Sequence, residues 1–278
     1  MKKVCMITIA VLLFACFSHA SAQIKTEKIM FPNLIGEKTY RQEAMLYIPL
    51  DGKDRHPLII MTHGRNGPSP KVNEQEVFGL RNLNQALANR GFFVMMLVRR
   101  GYGNSEGPDS EFLDTAEESG LAGAQDIKGA VNYMRTKPEI LNDRIVIIGG
   151  SQGGWIALAS STLDIKGVLG TVNISGAINF RRGVGKSIRD PAVEDQLDNS
   201  AKIYGRSSRV PTLWLYAGND NHSPDSVKKW FNSYREAGGN GRLVIKPPYK
   251  DRGHMIVTEP DLYIEDILSF FREIGFNN

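Results

Sequence analysis

A serine framed by glycines, Gly149-Gly150-Ser151-Gln152-Gly153-Gly154, follows an apolar β-branched run at 145–148 and precedes a helical segment at 155–160. A hydroxyl held at a sharp strand-to-helix turn can attack a carbonyl carbon, and G-x-S-x-G is the spacing of a nucleophile elbow. The glycines have a physical reason to be there. Such a turn strains the serine backbone, and neighbours without Cβ atoms let the chain cross closely without a clash. The plainer alternative is a glycine-rich turn whose serine caps the following helix. The rest of the chain has to decide between them.

A serine hydroxyl is a weak nucleophile near neutral pH and needs a base within hydrogen-bond reach. Imidazole suits the task because it titrates near working pH. Of the five histidines, His19 falls in the N-terminal leader and His56 precedes a strand, at the wrong edge for catalysis. His63 ends a strand on the correct side, but the Gly64 after it suggests another role. His222 lies in a loop two residues from an aspartate. His254 follows the last strand and precedes the last helix, which makes it the best base. The orienting acid belongs on a loop between serine and histidine. Asp220 fits, directly after the apolar run Trp214-Leu215-Tyr216-Ala217. Asp225 reads as a first-turn helix carboxylate, Asp251 is too close along the chain to His254, and Asp164 falls at the opposite sheet edge. Taken singly, Asp220 could be an Asx turn and His254 an ordinary loop residue. The oxyanion of an acyl-transfer intermediate needs preorganised donors. The backbone N–H of Gln152 and that of Arg65, in His63-Gly64-Arg65, are the candidates, with His63 a buried scaffold residue.

These groups must be carried by regular elements. Residues 24–31 and 43–48 read as alternating strands, with a turn over 33–39, as a hairpin or meander. Mostly apolar runs at 58–61, 92–98, 145–148, 167–174 and 210–217, with 242–246, read as further strands. Helical spacing covers 77–90, 114–135, 224–237 and 261–274. Residues 179–209 lack strong apolar periodicity and leave room for a short cap segment. Apolar strands alternating with amphipathic helices imply an α/β class, a mostly parallel sheet covered on both faces. In such sheets ligands bind beyond the carboxyl ends of the strands.

The first residues look like a secretory signal peptide, with Lys2-Lys3, an apolar stretch over 4–17, and Ala20-Ser21-Ala22 before Gln23. Cleavage after Ala22 would leave one domain over 23–278, secreted or periplasmic. Lipid anchoring at Cys16 is the lesser alternative, and the apolar run is short for a permanent span. Both cysteines, Cys5 and Cys16, would leave with the leader, so neither a disulfide nor a cysteine metal site is expected. A formal net charge of +4 gives no case for nucleic acid or membrane binding. No H-E-x-x-H pattern suggests a metal, and no acidic residue completes a dinucleotide fingerprint around Gly101-Tyr102-Gly103. No cofactor is expected.

The motifs H-G-R-N-G, R-R-G-Y-G-N-S-E-G, G-G-S-Q-G-G-W, G-N-D-N-H-S-P and G-H-M, in that order, resemble the α/β-hydrolase superfamily over nearly the whole chain after the leader. The resemblance is closest to compact serine esterases and peptidases, similar to dienelactone hydrolases and to prolyl oligopeptidase-like catalytic domains. It implies Ser151 as nucleophile, His254 as base and Asp220 as orienting acid. Two departures are visible: Val98-Arg99 stands where relatives often carry aspartate, and serine stands where dienelactone hydrolases often use cysteine. The expected partner is a small-molecule ester. Peptide or amide hydrolysis is the runner-up, and a non-catalytic secreted binding protein is the alternative of another class. Arg65, Arg99, Arg100, Arg181, Arg182, Lys186, Arg189 and Arg206 could form a basic rim for acidic esters, or simply a solvated surface.

Overall fold

The computed structural model describes residues 23–65, 80–109 and 111–278. The leader read at 1–22 and the start of the helix read at 77–90 lie outside the described residues.

The apolar runs form the strands that their composition predicts. They are β3 (His56–Thr62), β4 (Phe93–Leu97), β5 (Ile140–Gly150), β6 (Val168–Ile174), β7 (Thr212–Ala217) and β8 (Gly241–Lys246). Every residue of β3, β4 and β7 is buried, as expected of strands covered on both faces. With β1 (Ile24–Ile35) and β2 (Lys38–Pro49), they make one eight-stranded sheet in the order β1-β2-β4-β3-β5-β6-β7-β8. The strands from β3 to β8 run parallel, and β2 is antiparallel to both of its neighbours.

Alternation along each strand divides the core into two layers. Leu58, Ile60, Ile145 and Ile147 face α2 (Ala116–Met134), α3 (Gln152–Ser160), α4 (Pro191–Ser207) and α5 (Pro224–Glu236). Ile59, Met61, Val146 and Ile148 face α1 (Arg81–Ala88) and α6 (Ile264–Glu273). Helix α2 opens with a capping box, the Thr115 hydroxyl accepting from the Glu118 N–H while Glu118 accepts from the Thr115 N–H.

Two expectations need correction. The N-terminal hairpin is longer than read, since the strands run on to Ile35 and Lys38 and only Gly36-Glu37 turns. Asn33, read as the start of the turn, and Gln42 are fully buried and bond to one another and to Asp126 on α2. The segment after β6 holds a full 17-residue helix, α4, rather than a short cap. Among the described residues, no helix is long and apolar enough to cross a membrane.

Candidate active site

Three strands deliver the three predicted side chains to one edge of the sheet. β5 ends at Gly150, and Ser151 follows at φ 55°, ψ −128°, a positive-φ conformation that costs a serine on the order of 1–3 kcal/mol and persists only where the surroundings impose it. They do so here. The Ser151 N–H donates to Ile174 O at 2.9 Å, and all nine residues of α3 are buried. Trp155 on that helix packs edge-on against Trp214 and Trp230, with ring centroids 5.9 and 5.7 Å away. The serine does not cap α3 with its side chain, which disposes of the capping alternative.

The Ser151 Oγ lies 3.0 Å from His254 Nε2, and His254 Nδ1 lies 3.1 Å from Asp220 Oδ1. A carboxylate only accepts, so the Nδ1–H donates to Asp220 and leaves the Nε2 lone pair facing the hydroxyl. Asp220 follows β7 and is 3% exposed. His254 sits on a 3₁₀ turn, Gly253–Thr258, beyond β8. Asn219, which sequence reasoning passed over, ties the two loops together. Its side chain donates to Lys250 O at 2.7 Å and accepts from the Tyr249 N–H at 2.8 Å.

The rejected candidates stand apart from this line. Asp225 is an exposed first-turn residue of α5, Asp251 is exposed, and His56 opens β3, where its Nδ1 bonds Gly91 O. His63 is fully buried, its Nδ1 bonding Gly64 O at 2.7 Å while its Nε2 accepts from the Arg99 N–H at 3.2 Å. Burial, and then the Arg99 charge, hold its pKa well below the ordinary histidine value. It is a neutral scaffold, as expected. A Cβ on the adjoining Gly64 would stand only 3.0 Å from Ser151 Cβ. The backbone leading to Arg65 therefore passes directly beside the nucleophile.

His222 packs edge-on against Trp230 and is 5% exposed. Burial lowers its pKa to about 4, against the pull of Asp220 and together with the push of His254. The unfolded chain, with an ordinary histidine near 6.5, binds a proton that the folded chain refuses. Stability is thus intact at neutral pH and falls as pH drops from about 6.5 to about 4, by roughly 3 kcal/mol from this residue. Urea midpoints taken from pH 7 to pH 4.5 should decline less steeply for His222→Phe than for the wild type. Equal slopes would contradict the assignment.

Three of the rim candidates, Arg65, Arg99 and Arg100, are held in internal ion pairs, while Lys186, Arg189 and Arg206 are exposed. Arg65 pairs with Asp109 at 2.7 Å, Arg100 with Asp126 at 3.1 Å and Arg99 with Glu111, and all six side chains are largely or wholly buried. Exposed Arg181 and Arg182 share Asp114. An open cavity of about 280 Å³ is lined mainly by Phe112, Ile178, Phe180, Val184, Ile188 and Val193, with Lys186 on its wall, and Ser151, Asp220 and His254 are not among its lining residues. One hydrogen bond connects its wall to the elbow, the Asn179 N–H donating to Gln152 Oε1 at 3.3 Å.

Known proteins resemble this chain in sequence and in fold. An uncharacterised protein of Pseudomonas aeruginosa is 27% identical over 187 residues, 67% of this chain and 46% of its own length. Dipeptidyl aminopeptidase BIII of Pseudoxanthomonas mexicana is 31% identical over 126 residues, 45% of this chain and 17% of its own length. This chain thus spans less than half of either curated relative. An esterase of Pyrococcus furiosus superposes with a TM-score of 0.62 at 15% identity, covering 92% of both chains, and shares the α/β-hydrolase fold. The model of the dienelactone hydrolase family matches residues 45–254, from the second strand through the candidate base, and the chain belongs to that family.

Proposed function

We propose that the protein hydrolyses carboxylic esters through Ser151, His254 and Asp220, by way of an acyl-enzyme. The observation that carries this reading is the unbroken hydrogen-bonded line from Ser151 Oγ through the imidazole to Asp220, at 3.0 and 3.1 Å. His254 Nε2 takes the hydroxyl proton as Oγ attacks the ester carbonyl, and Asp220 stabilises the imidazolium that forms. The negative oxygen of the tetrahedral intermediate rests on the Gln152 and Arg65 backbone N–H groups. Collapse expels the alcohol, which His254 protonates. Water, deprotonated by the same imidazole, then releases the acid and restores the serine.

The apolar cavity favours an ester with an apolar acyl or alcohol group of modest size, since burying each CH₂ there gains about 0.8 kcal/mol. Lys186 is the charged group on its wall. Export through the leader at 1–22 would place this chemistry outside the cytoplasm. A second reading, peptide hydrolysis, draws on the 31% identity with the dipeptidyl aminopeptidase.

A fluorophosphonate probe should label Ser151 and no other residue. A p-nitrophenyl ester panel should give kcat/KM rising from acetate to butyrate, by about threefold or more per added CH₂ if each is fully buried. Faster turnover of dipeptidyl p-nitroanilides would favour the peptidase reading. Absence of both turnover and labelling would favour a binding protein on the same fold.

A further inference from the structure

We propose that Glu111, outside every motif, is a positioning residue that holds both oxyanion donors in place, a role that rests on the reading of Ser151 as nucleophile. Glu111 lies in the loop before α2 and is completely buried. Its carboxylate accepts from four donors: Arg99 Nε, Arg99 Nη2 at 3.1 Å, the Tyr102 hydroxyl at 3.0 Å and Gln152 Nε2 at 2.8 Å.

The last of these reaches the elbow. Gln152 follows the nucleophile, and its side chain is held at both ends, with Nε2 on Glu111 and Oε1 on the Asn179 N–H. A side chain pinned at both ends fixes the position of its own Cα and peptide plane, and with them the N–H aimed at the developing oxyanion. The other donor hangs from the same carboxylate through Arg99. Arg99 Nη1 donates to Thr62 Oγ1 at 2.5 Å and to His63 O at 2.6 Å, and its backbone N–H reaches His63 Nε2. The segment leading to Arg65 is thereby fastened to the Arg99–Glu111 pair. Arg65 itself returns to the cluster, its Nη1 donating to the Tyr102 hydroxyl at 2.8 Å.

Charge makes the role a matter of geometry. A lone carboxylate near an oxyanion would oppose catalysis, but Arg99 offsets it in a two-point pair. Removing only the negative charge would leave Arg99 uncompensated and make the local potential more positive, which by itself favours the oxyanion. A positioning role therefore predicts slower turnover for Glu111→Gln, and a purely electrostatic one predicts equal or faster turnover. Donors must be in place before charge develops, and small misplacements are costly.

The experiment measures ester hydrolysis by Glu111→Gln, Gln152→Met, the double variant and Ser151→Ala, with circular dichroism to establish folding. Gln152→Met keeps the backbone N–H and removes the side-chain bonds. Folded Glu111→Gln should lose about 10- to 100-fold in kcat with KM within about twofold. Its affinity for an aryl trifluoromethyl ketone, which forms an oxyanion on the serine, should fall by the same factor, and its pH–rate profile should keep its shape. The double variant should match Glu111→Gln alone, because Glu111→Gln already releases the Gln152 side chain that Gln152→Met would detach. Wild-type kcat in Glu111→Gln, a loss confined to KM, or independent multiplicative losses in the double variant would overturn the proposal. If Glu111→Gln does not fold, Gln152→Met decides: a folded variant with reduced kcat supports the proposal, and one with wild-type kcat overturns it. Ester turnover retained by Ser151→Ala would instead overturn the underlying reading of the site.

Discussion

Ser151→Ala should lower kcat for a p-nitrophenyl ester by about 10⁶, with the protein still folded. The loss is large because the serine and histidine act as one unit: without Oγ there is nothing for His254 to deprotonate and no acyl-enzyme to form. Any remaining rate would come from binding and from the oxyanion donors, which act without the nucleophile. The unfolding free energy should change by no more than about 1 kcal/mol, the ordinary worth of the Oγ to Nε2 hydrogen bond. A stopped assay with purified variant, checked against a fluorophosphonate label that should now be lost, gives the answer. Activity within tenfold of wild type would mean that the hydrogen-bonded line at Ser151 is not the engine of the reaction.

Gly153→Ala should be a severely damaging single-methyl change in the elbow. In an ordinary helix this exchange stabilises by about 1 kcal/mol. Here a Cβ would stand 2.3 Å from Thr62 O and 2.5 Å from His63 O, backbone atoms at the end of β3 that cannot rotate aside. Either α3 or the Thr62–Arg65 segment must move. The expected cost is about 3 kcal/mol or more, equivalent to a melting point lower by about 6–12 °C at this chain length. Turnover should fall by about 10² or more even in the folded fraction, since both oxyanion donors adjoin the clash. Thermal melts and kcat on the same preparation test both halves. A variant as stable as wild type would show that the elbow helix has slack at this crossing.

The site was more legible than its support. Ser151, Asp220 and His254 each follow a strand, and a parallel sheet gathers strand ends at one edge, so chain order was enough to bring them together. α4 was missed although its start is signalled by Asp190-Pro191, where the Asp190 side chain accepts from the Ala192 N–H. Its buried residues, Val193, Leu197, Ser200, Ala201, Tyr204 and Gly205, keep helical spacing, but half of them are small or polar. Hydropathy therefore fades along the buried face. Glu111 gave no signal of its own, being one carboxylate in a loop. Its partner did: Arg99 directly follows a buried apolar strand, and an arginine placed there needs an acid. The departure at Val98-Arg99 was that clue, pointing to an internal ion pair rather than to substrate. Asn33 misled for the opposite reason, since a residue typical of turns serves here as an inward-facing hydrogen-bonding group.

The division of the core into two layers bears on the reacting atoms themselves. Ser151 is carried by the helix whose Trp155 is anchored among the side chains of the first layer. The turn that carries His254 is seated through Ile256 in the second. The gap across which a proton must pass is thus fixed by two independent packings on opposite sides of one sheet, and its tolerance is the sum of theirs. A loosened side chain on either side, even one far from the serine, reaches the chemistry as a longer proton jump.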